Sequence, residues 1–127
     1  VLGERHCHSG SQILSFAGAS SHLGSVGTRL FFPEVYSGAH DFFRFFNVGE
    51  ADALITVVAR DRNSAQVVNQ IQGRAVSKGF WTVPDESIKS VTGTLEVIST
   101  QPIAGERHMY YQGGKTAISQ LGQVIAL

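Results

Sequence analysis

A single cysteine, Cys7, excludes an intrachain disulfide, so the chain is not a small disulfide-stapled scaffold. Charge is scarce as well. Charged residues make up 16% of the sequence and the formal net charge is zero, against about 25% charged in ordinary soluble domains. That removes the basic footprint of a nucleic-acid binder and the acidic block of a solvating tail. No apolar run approaches the ~20 residues of a helical membrane span, so no membrane insertion is expected. Helical periodicity is nearly missing too, with no long stretch of apolar residues at i, i+3, i+4 and i+7. The chain opens on Val1, without Met or a charged-then-apolar leader. The expectation is that a leader has been removed or that the chain is a piece of something longer.

What is present, over 127 residues, fits one domain built from short β-branched and aromatic runs punctuated by Gly, Pro, Asn and Asp. The pattern predicts strands at about 2–8, 11–17, 28–33, 41–47, 53–60, 65–72, 75–83, 91–99, 103–111 and 116–126. Ala53 to Arg60 is apolar on both faces near its centre, which predicts a central strand. In Phe42-Phe43-Arg44-Phe45-Phe46, alternate residues share a face, with Phe43 and Phe45 opposite Phe42, Arg44 and Phe46. The turn-forming run Asn47 to Asp52 predicts a hairpin between these two strands. Val91, Leu95 and Val97 fall inward, while Thr92, Thr94 and Glu96 fall outward. Pro84 marks a loop, Ser87-Ile88-Lys89 suggests one helical turn, and Pro102 is expected to break the chain before the last two strands. Many short strands with regular turns predict an antiparallel β-sandwich of immunoglobulin-like type, although the Cys…Trp…Cys hallmark is missing.

One tetrapeptide occurs twice, as Gly3-Glu4-Arg5-His6 and as Gly105-Glu106-Arg107-His108. The copies share more than four residues. An apolar pair precedes each, a polar turn follows, and each closes on Leu-Gly-x-Val, at Leu23 to Val26 and at Leu121 to Val124. Both segments read as β-hairpins, so the fold class carries a duplicated terminal hairpin. The division expected is an extension at 1–26 and a sandwich at 27–127. Three arrangements follow. Both hairpins belong to one sandwich; or residues 1–26 are the tail of a preceding repeat in a tandem array; or they add strands to a neighbouring subunit, head to tail, and build a filament.

The stretches Leu30-Phe31-Phe32-Pro33 and Phe45 to Val57, the Thr82-Val83-Pro84 loop, the strand from Gly93 to Ile103 and the closing Glu106-Arg107-His108-Met109-Tyr110-Tyr111 carry a resemblance. Over about residues 28–124 the chain resembles tandem extracellular, immunoglobulin-like β-sandwich repeats of bacterial surface proteins. Val48 departs from the pattern, standing where such turns often carry Pro. The resemblance implies a cell-surface or secreted module with a structural or adhesive use and carries over no catalytic residue.

Candidate chemistry is sparse. His6 and His8 would share one face of a strand, with Cys7 on the other, but a structural zinc site wants four ligands and only His22 or His108 could come round to help. No metal and no cofactor is expected. Asp41, Asp61 or Asp85 with His40 and a nearby Ser make a triad only on paper, since no Gly-x-Ser-x-Gly elbow accompanies them. Asp61-Arg62-Asn63-Ser64 reads better as a hairpin turn, and Gly113-Gly114-Lys115-Thr116 lacks the first glycine and helix of a phosphate loop. No catalytic site is therefore expected. Neighbours in Glu4-Arg5 and Glu106-Arg107 diverge on a strand, so one of each pair should face inward or along an edge, and a half-buried one needs a partner, for instance across strands. The expectation is a non-enzymatic structural unit of an extracellular fibre or array of identical subunits, with Val1, Leu2, Glu4, Arg5, Ile13, Phe16, Glu106 and Arg107 at the assembly interface. The alternative is a carbohydrate-binding or adhesive module that stacks glycans on Trp81, Tyr110 and Tyr111, which otherwise suit the core or a contact.

Overall fold

A computed structural model of the protein describes residues 4–9, 12–17, 26–111 and 116–124, with side chains over 26–110 and 121–124. Its strands are β1 (Glu4–Ser9), β2 (Gln12–Ala17), β3 (Val26–Val35), β4 (His40–Asn47), β5 (Ala53–Asp61), β6 (Val67–Ala75), β7 (Phe80–Thr82), β8 (Gly93–Tyr111), β9 (Thr116–Leu121) and β10 (Gln123–Val124), with one short 3-10 turn at Asp85–Ser87. The protein is all-β, and every pairing among these strands is antiparallel.

β8 is the spine. On one side it pairs with β5 over Gly93 to Ser99 and with β4 over Ile103 to Tyr110. On the other it pairs with β3 and then β9. β6, β7 and β10 extend β5, β4 and β3 outward. Between its two halves β8 bends. Two steps along β3, from Gly27 to Arg29, face five along β8, from Ile103 back to Ile98. The surplus falls at Ser99 to Pro102, and such an excess on one strand turns a sheet sharply.

The bend folds the sheet over its own core. Phe32 lies opposite Leu95 on one half, yet its ring meets Phe43 at 5.0 Å and Phe45 at 6.2 Å, both from the other half. Alternation supplies the inner surface: Leu95, Val97 and Ile103 of β8, Phe43 and Phe45 of β4, and Ile55 and Val57 of β5 are all buried. Gly105 sits where the halves come close, because a Cβ there would stand 2.7 Å from Leu30 Cδ1 and 2.9 Å from Phe45 Cε1.

Three details depart from the sequence reading. β4 and β5 do not form a hairpin; the segment between them carries the chain from one half to the other, and both border the same side of β8. Buried Asn47 fixes that crossover by donating from Nδ2 to the carbonyls of Ala51 and Ala75 and accepting from Gly49 N–H. Pro102 does not end a strand, since β8 continues through it. The strand expected over 75–83 is mostly a turn with Lys78 at φ 61°, leaving only β7. The 61–64 turn forms as expected, with Asp61 Oδ2 accepting from Asn63 N–H and Ser64 N–H at 2.9 Å.

β1 and β2 pair with one another and form a two-stranded sheet of their own. β2 runs close to β9 without joining its ladder.

Candidate functional site

The second tetrapeptide is explained by the half of the sheet made of β7, β4, β8 and β9. Strand alternation turns Gly105, Arg107 and Met109 inward and leaves Glu106, His108 and Tyr110 partly open to solvent. Arg107 is 2% exposed. Its Nε donates to Asp41 Oδ1 at 2.9 Å and its Nη2 to Asp41 Oδ2 at 3.1 Å, so the guanidinium grips the carboxylate with two parallel bonds. Nη1 adds a bond to Glu34 Oε2 at 3.3 Å, and Nη2 also approaches Met109 Sδ at 2.8 Å. Asp41 Oδ2 accepts a further bond from Tyr36 N–H at 2.8 Å, which ties the 36–39 turn to the same pair. Asp41 stands across from Met109 and not from Arg107, so the link is diagonal between neighbouring strands. An inward arginine held across strands is what the divergence of Glu106 and Arg107 implied; the aspartate partner carried no motif in the sequence, only its odd place in the alternation of 41–47.

The outer face of the same strands carries aromatics. His40 pairs with Tyr110, Phe42 with His108 and Arg44 with Glu106. Phe42 is 39% exposed, Phe46 41% and Phe80 57%. The rings of Phe42 and Tyr110 meet edge to face at 5.7 Å, and the Arg44 guanidinium lies 4.5 Å from the centre of the Phe80 ring. His108 Nε2 contacts Glu106 Oε1. A shallow groove of about 330 Å³ beside them is lined by Val26, Arg44, Phe46, Val48, Glu106 and Leu121. Trp81 is not on this face. It stacks on Phe45 at 6.3 Å and covers Gly73, where any side chain would collide with the indole. The alternation set Phe42 and Phe46 on the face of Arg44, and that is the open face; nothing in the sequence marked Phe80 as open.

Of the remaining expected site residues, Glu4, Arg5, Ile13 and Phe16 lie on β1 and β2, whose side chains fall outside the described set, as does that of Tyr111. Val1, Leu2, His22 and the 112–115 segment are outside the described residues. Among the described residues no group of three His, Cys, Asp or Glu is placed to hold a metal. Asp41 is taken by Arg107, and Asp61 by its turn. His40 Nε2 lies 3.6 Å from Asp85 Oδ1, on the surface.

Both copies of the tetrapeptide lie in strands paired antiparallel with the strand that follows, in different registers. In β1 and β2, Glu4 faces Ala17, Arg5 faces Phe16, His6 faces Ser15 and Cys7 faces Leu14. In β8 and β9, Glu106 faces Leu121, Arg107 faces Gln120, His108 faces Ser119 and Met109 faces Ile118. The duplicated Leu-Gly-x-Val is not matched by the pairing, since Glu106 faces Leu121 while Glu4 faces Ala17 and not Leu23.

The sheet also has an open border. Among the described strands β6 pairs with β5 alone. It contains no Pro or Lys, the usual guards of an edge, and its one charge, Arg74, is bound to Asp52 at 2.6 Å. Val67 and Val68 at its start are more than half exposed.

No protein-family model matches the chain, and no curated protein matches it. Among solved structures it is similar to the crystal structure of Thermotoga maritima 1070, with a TM-score of 0.64 and 14% identity over 75% of this chain and 91% of that one. At that identity the similarity extends to the fold alone: a natural protein builds the same β architecture from a largely different sequence.

Proposed function

We propose that this chain is a non-enzymatic structural module of an extracellular surface fibre or array, an immunoglobulin-like sandwich joined to its neighbours by β-strand pairing. The observation that carries the reading is the hairpin β1–β2. It carries the same tetrapeptide as β8 and yet, among the described strands, β1 and β2 pair only with one another, with β2 running beside β9 outside its ladder. A hairpin that repeats the sequence of a built-in strand and stays outside the main ladder is suited to pairing with another sandwich. Backbone pairing of that kind supplies affinity through main-chain hydrogen bonds and specificity through alternate side chains. A scarcity of charge removes one of the usual barriers to close approach of like subunits.

The test compares the full chain with a chain lacking residues 1–25, by light scattering across a concentration series and by negative-stain imaging. Among the described residues the core cluster runs from Leu30 to Ile103, with Met109 also buried and Val124 packed against it, so the shortened chain is expected to keep its fold. The expected result is assembly by the full chain and a monomer from the shortened one. A full chain that stays monomeric at all concentrations, or a shortened chain that assembles equally well, removes the reading.

The second reading, an adhesive module for glycans, draws support from the open aromatics Phe42, Phe46 and Phe80 beside Arg44 and Tyr110. Rings flanked by hydrogen-bonding groups suit the faces and hydroxyls of sugars. Trp81 lends it less, being partly buried with its ring packed against the core.

A further inference from the structure

The open border of the larger sheet fits a copy of itself. Gln70 N–H is exposed and taken by Asn69 Oδ1 at 2.9 Å, so it points away from β5. Alternation along an antiparallel strand turns the backbone of Gln72 and Arg74 the same way, and turns that of Ile71 toward its partner Val57 on β5. The flat part of the border begins at Asn69, because two steps on β6, from Val67 to Asn69, face one on β5, from Arg60 to Ala59, and such a bulge bends the strand at Val68. About a two-fold axis through Ile71 this run matches itself. Gln70 of one copy stands opposite Gln72 of the other, and the two exchange both backbone bonds. Ile71 meets Ile71 in the closer, non-bonded kind of pair, and Asn69 meets Gly73.

Charge selects the occupant. The strand's one charge, Arg74, is held by its own Asp52 at 2.6 Å and falls opposite Val68 of the second copy, so no like charges face each other. The side-chain amides of Gln70 and Gln72 carry both donors and acceptors and so suit one another. Ile71 is partly buried against the core, as is Trp81 beside it, so the same axis brings two apolar rims together. We propose that two copies of this chain pair antiparallel through β6, with Ile71 on the two-fold axis. The pairing needs only the larger sheet and does not rest on the module reading above. It closes at two copies and adds no length to a fibre; between fibres it is a lateral tie. One added strand buries less than the about 1,200 Å² of a stable interface, so the pair is short-lived and is captured by cross-linking, not seen as added mass.

The experiment uses the full chain with Cys7→Ser, so that one introduced thiol is present at a time. With Ile71→Cys, mild oxidation by a glutathione redox buffer is expected to give a disulfide-linked dimer at least about tenfold faster than with Ile98→Cys, because only a docked pair holds two copies of one residue about 4.5 Å apart at Cα. Ile98, 43% exposed on β8, is the more accessible of the two sites and reports random collision. In the Ile71→Cys chain, Val68→Lys sets a cation against Arg74 of the second copy and should slow the cross-link, whereas Val68→Glu should speed it. Should Ile71→Cys not fold, a mixture of Gln70→Cys and Gln72→Cys chains reads the same register on the exposed face, and should link as mixed dimers in preference to either like dimer. Equal rates at 71 and 98, equal effects of Val68→Lys and Val68→Glu, or like dimers as frequent as mixed ones overturn the proposal.

Discussion

Asp41 and Arg107 are taken out of water together, and each depends on the other for that to be tolerable. Removing one partner of a buried pair leaves the other charged and unsatisfied, which costs about 3–5 kcal/mol, whereas a well-packed apolar replacement of both is often neutral. Asp41→Ala is therefore expected to lose about 3–5 kcal/mol in urea unfolding, and Asp41→Leu with Arg107→Met to recover most of it. An additive double variant would show that the two residues do not act as a unit. On the outer face of the other half, Glu96 accepts from Arg29 Nη2 at 2.7 Å and from Arg29 Nε at 3.2 Å, with Arg60 Nη1 at 3.5 Å. The hydrogen bonds from Arg29, then the charges of Arg29 and Arg60, hold its carboxyl below the ordinary value of 4.5. A depressed folded-state value means that the stabilisation is fully present above the unfolded value and is lost as pH falls through the folded one. The difference in Tm between the wild type and Glu96→Gln is expected to be constant from about pH 7 to about pH 5 and to close in more acid solution. A gap that persists unchanged at about pH 2 contradicts the pairing.

The elements are held in place by small residues where two layers meet. Gly105→Ala pushes a methyl against Leu30 and Phe45, side chains that can give a little, so a loss of about 1–3 kcal/mol is expected from overpacking. Gly73→Ala collides with the Trp81 indole, a rigid ring already stacked on Phe45, and should cost more than Gly105→Ala in the same denaturation series. The reverse order would mean that Trp81 is free to swing out. Alternation made β4, β5 and the first half of β8 readable from the sequence, since Phe43, Phe45, Leu95 and Val97 fall inward as their spacing demands. The hairpin expected between β4 and β5 failed because a turn sequence fixes that the chain reverses, not which sheet half it returns to. Buried Asn47, bonded to Ala75 far along the chain, decided it. Pro102 looked like a terminator, but at a bend the missing N–H does no harm. The buried Arg107 was legible as one of two neighbours that could not share a face. Asp41 was not, because the pair is diagonal and depends on how β4 lies against β8.

At the scale of the whole molecule two surfaces compete for the role of contact site, and they respond to different changes. Strand pairing draws on backbone hydrogen bonds and on apolar burial, both weakly screened, and the chain has no net charge to steer or repel its copies. Its assembly is expected to change little between about 50 mM and about 500 mM salt, a range over which the Debye length falls roughly threefold. The aromatic face behaves otherwise, since Arg44, Glu106, His108 and His40 surround its rings. Phe42→Ser with Phe80→Ser opens that face without touching a ladder or the core, and exposed changes of this sort move stability by only about 0.5 kcal/mol. If strand pairing joins the modules, this double variant assembles as the wild type does, and only retention on a glycan surface can fall. If the aromatic face itself is the contact between copies, the variant stays monomeric although β1 and β2 are intact, and the contact between neighbours must be reassigned from sheet borders to the outer face of β4 and β8.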